Sequence, residues 1–295
     1  MGWAEGFIAV DWGTTNRRAW RIGADGAVED EMEDGLGILS IKAGEFGNSV
    51  SEITARLGDR PLLLAGMIGS NRGWVEAPYV PCPAGLPELA ASLKWVEPER
   101  IAIVPGLCFS DEEAADVMRG EEAQILGAYA EGMLPADAVV CHPGTHNKWI
   151  RLEDGRIAAF RTVMTGEMFN LLRKHSILSD MLGEPADREE AFAAGVRRGL
   201  DCNDLTAELF SVRARVLLGK AAREDAASYT SGLLIGSDIR IGLGFAGEAE
   251  VVAVGTPELT GLFATALGHA GRTVREIDGE QAFLCGAKHL AELIR

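Results

Sequence analysis

The sequence predicts an α/β protein that contains two related domains. Short apolar runs typical of buried strands alternate with segments that have the 3.6-residue periodicity of helices. The segment 7–17, FIAVDWGTTNR, is also similar to the segment 138–148, AVVCHPGTHNK. A chain of 295 residues is long enough for one large domain or two medium-sized domains, and the repeat favours two.

Strands are predicted where a short apolar run ends at a turn. The first covers residues 7–10 and ends at Asp11, and a return strand at 19–22 leads to an Asp25-Gly26 turn. Later apolar runs, each followed by a turn that contains Gly or Pro, predict buried strands at residues 62–65, 101–104, 139–141 and 251–254.

Helices are predicted at residues 121–130, 257–269 and 280–294, where apolar side chains recur with helical spacing. Thr256 is a suitable N-cap, and Pro257 is tolerated in the first helical turn because its missing N–H has no partner there. The dispersed glycines Gly242, Gly244 and Gly247 are expected in loops. A domain boundary is expected in the loop 132–138, which gives domains 1–134 and 135–295.

The internal repeat aligns without a gap. Gly13, Thr14 and Asn16 match Gly144, Thr145 and Asn147, and Arg17 meets Lys148. Each copy follows a short apolar run and continues into a strand that contains a Trp and ends at an Asp-Gly turn. This agreement in order indicates duplicated domains that face each other.

Composition excludes several classes of protein. The chain carries 28 Lys and Arg against 44 Asp and Glu, a net charge of −16, which disfavours binding to nucleic acid. Its 47% hydrophobic content excludes general disorder, and its longest apolar runs are too short to span a membrane. Five scattered cysteines favour reduced thiols and a cytoplasmic protein. The oligomeric state stays open, with a homodimer as one option.

The repeated turns have the chemistry of phosphate sites. A strand that ends in Asp and turns through Gly-Thr-Thr presents backbone N–H groups and hydroxyls at a tight bend. Asp11 would hold Mg²⁺, which retains much of its water shell in proteins. A plain hairpin with an Asx-type turn is the alternative for the first turn. The second turn, Gly-Thr-His-Asn, supplies a matching set of donors.

Three motifs resemble those of the sugar kinase/actin superfamily. DWGTTNRRAW is similar to its first phosphate motif, PGTHNKW to its second, and VVAVGTPELTGLFATAL, residues 251–267, to its adenosine motif. Together with AGMIGSNRGWVEAPYVPCPAG, DVMRGEEAQILGA, FRTVMTGEMF and FSVRARVLLG, they resemble the 2-dehydro-3-deoxygalactonokinases. The likeness extends from about residue 7 to residue 290. His142 departs from the pattern, since superfamily members often carry Asp there.

The resemblance implies two ribonuclease H-like (actin-like ATPase) domains with mixed sheets flanked by helices around a central cleft. It implies transfer of the γ-phosphoryl group of ATP, with Mg²⁺, to the 6-hydroxyl of 2-dehydro-3-deoxy-D-galactonate. A nucleotide-binding regulator without kinase activity and a kinase for an epimeric sugar acid are the alternatives. The implied nucleotide contacts are Gly13, Thr14, Thr15, Asn16, Gly144, Thr145, His146, Gly255 and Thr256.

A kinase also needs a carboxylate that orients the attacking hydroxyl. Related sugar kinases have this group near a loop-to-helix junction, which points to Asp116 or Glu121. Asp116 is preferred because it keeps the residue type, and Glu121 would then contact the substrate or the hydrated metal. Acidic residues that merely stabilise a helix N-terminus are the alternative explanation.

The acceptor is an anion, so its carboxylate needs a cationic partner such as Arg. Arg17, Arg72, Arg119 and Arg161 adjoin the motifs. Arg72 and Arg119 are preferred because they lie in the segments most specific to the family. Trp74 and Glu76 are expected to line the sugar-acid pocket together with them.

Overall fold

The computed structural model describes residues 2–183 and 189–294. The strands, numbered along the chain, are β1 (Gly6–Trp12), β2 (Arg17–Gly23), β3 (Val28–Asp34), β4 (Leu62–Gly66), β5 (Tyr79–Pro81), β6 (Lys94–Glu97), β7 (Ile101–Ile103), β8 (Gly106–Ser110), β9 (Ala115–Met118), β10 (Ala138–His142), β11 (Asn147–Glu153), β12 (Arg156–Val163), β13 (Val251–Gly255) and β14 (Val274–Asp278).

The helices are numbered in the same way. They are α1 (Phe46–Leu57), α2 (Leu86–Ala91), α3 (Glu121–Ala130), α4 (Thr165–His175), α5 (Glu189–Asp201), α6 (Leu205–Leu217), α7 (Ala226–Ala246), α8 (Pro257–His269) and α9 (Gly279–Ile294). The predicted helices 121–130 and 257–269 have the predicted bounds, and the third begins one residue before its predicted start. The six predicted strands correspond to β1, β2, β4, β7, β10 and β13.

The expectation that Gly242 and Gly244 lie in a loop is wrong. Both lie inside α7, whose buried residues surround the helix on all sides. A helix that is apolar all round lacks the one-sided periodicity that identifies a surface helix in a sequence. Gly247 does follow the end of α7, with a positive φ of 59°.

Contacts within the chain divide it into two units. The first contains Met1–Asp137, Leu152–Ala159 and Gly279–Arg295, and the second contains Ala138–Arg151 and Phe160–Asp278. The first unit thus includes two segments, Leu152–Ala159 and Gly279–Arg295, from within the predicted domain 135–295. This division assigns α9 to the first unit, where α9 contacts α3 extensively.

The main sheet of the first unit has the strand order β3-β2-β1-β4-β7-β6. β1 pairs with β2 in antiparallel orientation and with β4 in parallel orientation. β1 is buried on both faces, which explains its continuous apolar run. A separate three-stranded sheet has the order β5-β8-β9.

The five-stranded sheet has the order β12-β11-β10-β13-β14, which repeats the order of β3-β2-β1-β4-β7 in the first sheet. β10 pairs in parallel with β13, as β1 pairs with β4, and β13 pairs in parallel with β14. The four-residue segments 13–16 and 143–146 connect β1 to β2 and β10 to β11. The shared strand order supports the duplication inferred from the repeat.

Helices cover these sheets in the usual manner of α/β proteins. In α1, the buried residues Phe46, Val50, Ile53 and Leu57 recur at helical spacing and pack in the same core cluster as β1 and β4. This packing fixes the strand ends at which the first phosphate turn begins.

Glycines allow two helix pairs to approach closely. In α5 and α7, a Cβ on Gly199 would lie 2.2 Å from the Leu233 carbonyl oxygen, and a Cβ on Gly232 would lie 2.1 Å from the Phe192 carbonyl oxygen. In α3 and α9, a Cβ on Gly127 would lie 2.2 Å from the Gly286 nitrogen. Larger side chains at these positions would push the helices apart.

Within residues 2–183 and 189–294, none of the helices combines the length and the apolar character needed to cross a bilayer.

Candidate active site

The first phosphate turn follows β1 and is closed by the Gly13 N–H, which donates to the Asn16 carbonyl at 3.0 Å. Backbone groups of residues 37–39 support it, since the Gly37 N–H donates to the Thr15 carbonyl at 3.0 Å. A Cβ on Gly37 would lie 2.3 Å from the Thr15 carbonyl carbon, so only glycine fits there. Thr14, Thr15 and Asn16 are exposed. The turn therefore has a rigid backbone and accessible hydroxyls.

Arg17 follows the turn directly, and its side chain bonds to residues outside the turn. It is buried, and its Nε and Nη2 donate to the two carboxylate oxygens of Asp34 at 3.2 and 2.6 Å. Its Nη1 donates to the hydroxyl of Ser49 at 2.6 Å, and the guanidinium lies 5.1 Å from the Trp12 ring centroid. In the repeat, Lys148 is likewise buried and donates to the Thr162 hydroxyl at 2.7 Å.

Asp11 lies at the carboxyl end of β1, where ligands of open α/β sheets commonly bind. Its Oδ2 accepts from the Arg18 Nη2 at 2.8 Å, and Arg18 also contacts Glu280 at 3.2 Å. Gly66 ends the adjacent parallel strand β4, and a Cβ there would lie 3.5 Å from the Asp11 Oδ1. Gly66 therefore places no side chain against this carboxylate.

The start of α3 meets the same strand ends. Gly120 has a positive φ of 110°, and a Cβ there would lie 3.2 Å from the Gly66 Cα. The next residue, Glu121, is half-buried and accepts the Arg119 backbone N–H at 3.1 Å. The fold therefore brings Glu121 towards the end of β4, beside the strand that carries Asp11.

Glu122 differs from its neighbour because its carboxyl group is fully buried. The Gly120 N–H donates to both of its oxygens, at 2.9 and 2.7 Å. Burial, reinforced by the charge of Glu121, raises the pKa of Glu122 to about 8. The sequence does not indicate this burial, because Glu122 is one of several acidic residues at the start of a predicted helix.

Asp116 lies on β9, opposite Phe109 of β8 in the three-stranded sheet. It is half-buried, and its Oδ1 accepts the Val117 N–H at 2.8 Å. Asp116 thus belongs to the three-stranded sheet, whereas Glu121 follows Gly120, which approaches Gly66 at the end of β4.

The predicted sugar-acid residues follow β4 in a compact loop. The Trp74 N–H donates to the Ile68 carbonyl at 2.8 Å, and a Cβ on Gly73 would lie 2.1 Å from the same oxygen. Arg72 and Glu76 are exposed, whereas Trp74 is partly buried against the core. Three of the four predicted residues therefore lie together, at the same sheet edge as the first phosphate turn.

Arg119, the fourth, is buried. Its Nη2 donates to the Ala77 carbonyl at 2.8 Å, and its guanidinium lies 4.4 Å from the Tyr79 ring centroid. Its Nε and Nη1 are buried without a hydrogen-bond partner in the described part of the chain. Arg119 therefore supports the loop that carries the exposed residues.

The second phosphate turn is closed by a side chain. The Gly144 N–H donates to the Asn147 Oδ1 at 2.7 Å, and Asn147 is buried. The Asn147 Nδ2 donates in turn to Asp238 at 2.5 Å, and the Trp149 Nε1 donates to the same carboxylate at 2.7 Å. The Thr165 hydroxyl is a third donor to Asp238.

Asp238 lies on α7 and is fully enclosed. Burial raises its pKa to about 6, while the hydrogen bonds from Thr165, Trp149 and Asn147 oppose that rise. Gly242 lies one helical turn further on, and a Cβ there would clash with the Trp149 ring. The Gly at this position is the sequence signal that could have indicated α7 packing against a large side chain.

The start of α4 presses against the second turn. A Cβ on Gly166 would lie 2.6 Å from the Gly144 carbonyl oxygen, and the Glu167 N–H donates to the Thr145 carbonyl at 2.9 Å. The side chains of His146 and Glu167 are also in contact. The backbone N–H of Glu167 is therefore engaged by the turn itself.

A cavity of about 840 Å³ opens beside the second turn, within the size range of small-molecule sites. Gly144 and Asn147 line one end, and its apolar lining includes Phe169, Phe192, Leu234, Leu259, Leu262 and Phe263. Gly255 ends β13 and Thr256 precedes α8, and a Cβ on Gly255 would lie 3.6 Å from the Pro143 ring. The second phosphate turn and the adenosine motif thus meet in one unit.

Within the two described ranges, no group of three His, Cys, Asp or Glu side chains is arranged to hold a metal ion. Mg²⁺ commonly uses one or two carboxylates together with water and substrate phosphates, and Asp11 is suited to such a role.

Known proteins agree with this architecture. A family model described as 2-keto-3-deoxy-galactonokinase matches residues 11–290. The 2-dehydro-3-deoxygalactonokinase of Escherichia coli (strain K12) is 36% identical over 291 residues, which cover 98% of each chain. The crystal structure of a proposed 2-dehydro-3-deoxygalactonokinase from Sinorhizobium meliloti has a TM-score of 0.88 and 38% identity, covering 97% of this chain and 98% of that one.

A more distant structure shares the fold alone. Component A of the (R)-2-hydroxyglutaryl-CoA dehydratase of Acidaminococcus fermentans has a TM-score of 0.52 and 12% identity, covering 98% of each chain. The fold is that of the actin-like ATPase and sugar kinase superfamily, and the chain is a phosphotransferase of that class. Within the class, it belongs to the 2-keto-3-deoxy-galactonokinase family.

Proposed function

We propose that this chain transfers the γ-phosphoryl group of ATP to the 6-hydroxyl of 2-dehydro-3-deoxy-D-galactonate, in the cytoplasm. The observation that carries the proposal is the pair of related turns at the ends of β1 and β10, in a chain that matches the kinase family from residue 11 to residue 290. Phosphoryl transfer depends mainly on positioning and charge stabilisation, which rigid turns with backbone donors can supply.

The adenine base of the nucleotide is proposed to bind in the second unit. The apolar lining of the 840 Å³ cavity suits adenine and ribose, and Gly144 at one end leaves room for the phosphates. The hydroxyls of Thr145 and Thr256 and the His146 side chain are proposed as further contacts. In the first unit, Thr14 and Thr15 are proposed to donate to phosphate oxygens.

Asp11 is proposed to hold Mg²⁺ through water. Gly66 places no side chain against this carboxylate, and a single carboxylate is enough where phosphates supply other ligands. When bound, Mg²⁺ neutralises the charge on the phosphates. Arg18 keeps the Asp11 carboxylate oriented through its contact at 2.8 Å.

Glu121 is the better supported candidate for the group that orients the attacking hydroxyl. Gly120 joins it to the end of β4, next to the strand that ends in Asp11. Asp116, preferred on the sequence alone, remains the alternative. The proposed base would accept the proton of the 6-hydroxyl as that oxygen attacks the γ-phosphorus.

Arg72 is proposed to bind the carboxylate of the sugar acid, because its guanidinium is exposed in the loop after β4. Glu76 and Trp74 are proposed to contact the sugar hydroxyls and carbon chain. Arg119 is proposed to stabilise this loop through its hydrogen bond to the Ala77 carbonyl.

A coupled ADP-release assay tests the proposal with 2-dehydro-3-deoxy-D-galactonate, its gluconate-derived epimer and neutral sugars as acceptors. We expect Mg²⁺-dependent turnover that is fastest with the galactonate compound. Preference for the epimer would reassign the substrate, and nucleotide binding without turnover on any acceptor would favour a regulator. Glu121→Gln and Asp116→Asn, assayed side by side, identify the base as the position whose change lowers kcat more.

A further inference from the structure

The two phosphate turns are supported in different ways. The first is held by backbone bonds, because the N–H groups of Gly37, Ile38 and Leu39 donate to carbonyls of the turn at 3.0 to 3.2 Å. The second is closed through the side chain of Asn147. An amide side chain can rotate or reverse its two ends, so the second turn needs something that fixes Asn147.

A buried carboxylate on α7 does this. Asp238 accepts from the Asn147 Nδ2 at 2.5 Å, which obliges the amide to direct its oxygen to the Gly144 N–H. The same carboxylate accepts from Trp149 on β11 at 2.7 Å and from the hydroxyl of Thr165 at the start of α4. One acid therefore joins the three elements that surround the second turn.

Nothing in the proposed chemistry uses Asp238 directly. It is 1% exposed, so neither phosphate nor metal reaches it. All three of its partners are donors, a set that a carboxylate satisfies and a neutral amide cannot. Removing one acceptor from such a buried set leaves a donor unpaired, which is costly.

We propose that Asp238 is a positioning residue for nucleotide binding, which sets the conformation of the 143–146 turn through Asn147 and Thr165. This inference rests on the proposed kinase function, since it assigns the turn to the phosphates of ATP. It predicts that loss of the carboxylate weakens nucleotide binding and leaves the sugar-acid contacts of the first unit unchanged.

The test compares Asp238→Asn with the double variant Asn147→Asp/Asp238→Asn. The single change leaves an amide facing donors, so we expect the Kd for ADP and the KM for ATP to rise about tenfold or more. The double change reverses the polarity of the pair: the carboxylate at position 147 accepts from Gly144 and from the amide at position 238. We expect it to recover thermal stability lost in Asp238→Asn, while the carboxylate that it places in the cavity lining keeps the affinity for ADP low.

Leu233→Ala is the matched control. Leu233 is fully buried on the same helix and lies outside the lining of the nucleotide cavity. This variant should lower thermal stability while leaving the Kd for ADP within about threefold of wild type. If Leu233→Ala and Asp238→Asn lose the same affinity for ADP, the effect of Asp238 is only structural and the inference is overturned.

Calorimetric titration with ADP, followed by steady-state assays with both substrates, gives the decisive readouts. A raised KM for ATP with an unchanged KM for the sugar acid supports the inference, whereas unchanged ADP binding in Asp238→Asn overturns it. Failure of the double variant to recover thermal stability also counts against the proposed pairing of positions 147 and 238. If Asp238→Asn does not fold, Trp149→Phe removes one donor to Asp238 at a residue outside the cavity lining and gives the same readouts. A wild-type chain that binds no ADP would instead refute the proposed function.

Discussion

Replacement of Glu122 by Gln tests whether the buried acid at the start of α3 is held in its protonated form. An unfolded chain releases this proton near the ordinary carboxyl pKa of 4.5, whereas the folded chain retains it up to about pH 8. The folded state thus binds more protons than the unfolded state between these values. The stabilising contribution is complete below pH 4.5 and is lost as the pH rises through about 8.

The magnitude follows from the same shift. Within that window, the free energy of unfolding should fall by on the order of 1 kcal/mol per pH unit because of this group, or several kcal/mol in all. Full burial means that solvent does not screen the effect. Gln cannot ionise, so Glu122→Gln should lack this slope. It offers one oxygen to the Gly120 N–H where the acid offers two, which adds a cost that does not vary with pH.

Urea unfolding of both proteins at intervals from pH 5 to pH 9 measures the effect. The free energy of unfolding of Glu122→Gln minus that of wild type should increase with pH and level off near pH 8 to 9. Glu112→Gln, which removes an exposed carboxylate, should give a difference that is flat over this range. A flat difference for Glu122→Gln as well would refute the argument that burial keeps Glu122 protonated.

Other contacts are tested in the same way. Gly232→Ala places a Cβ 2.1 Å from a carbonyl of α5 and should cost about 2 kcal/mol in urea unfolding, whereas Gly244→Ala, with open space around it, should not destabilise. Arg17→Lys loses the paired contacts to Asp34 and should cost about 2 kcal/mol in that assay; an unchanged midpoint would contradict this. Asp11→Asn should lower kcat at least about tenfold in ADP release and lower Tm slightly, because it weakens the contact with Arg18; undiminished turnover would argue against its metal role.

The parts of the fold that could be predicted are those with a strong local signal. β1, β10 and β13 are short apolar runs that end at turns, and α3 and α8 have clear helical periodicity, so their bounds follow closely. The duplication was visible because the repeated turns keep their glycine, threonine and asparagine. Local patterns of this kind do not depend on the rest of the chain.

The missed features depend on tertiary contacts. α7 is apolar on every side, and the packing partners of Gly232 and Gly242 come from distant segments. Asp238 gains its role from donors on β11 and α4, about ninety and seventy positions away. The burial of Arg119 against Ala77 and Tyr79 likewise depends on the fold and leaves no local signal in the sequence.

The membership of α9 in the first unit has a consequence for synthesis. α3 leaves the ribosome early. α9, which packs on α3 where Gly127 meets Gly286, is synthesised only after the whole second unit. The nascent first unit therefore exposes an apolar helix surface for most of translation. Its final closure is a late, long-range event, which favours slow folding and makes this surface a natural target for chaperones.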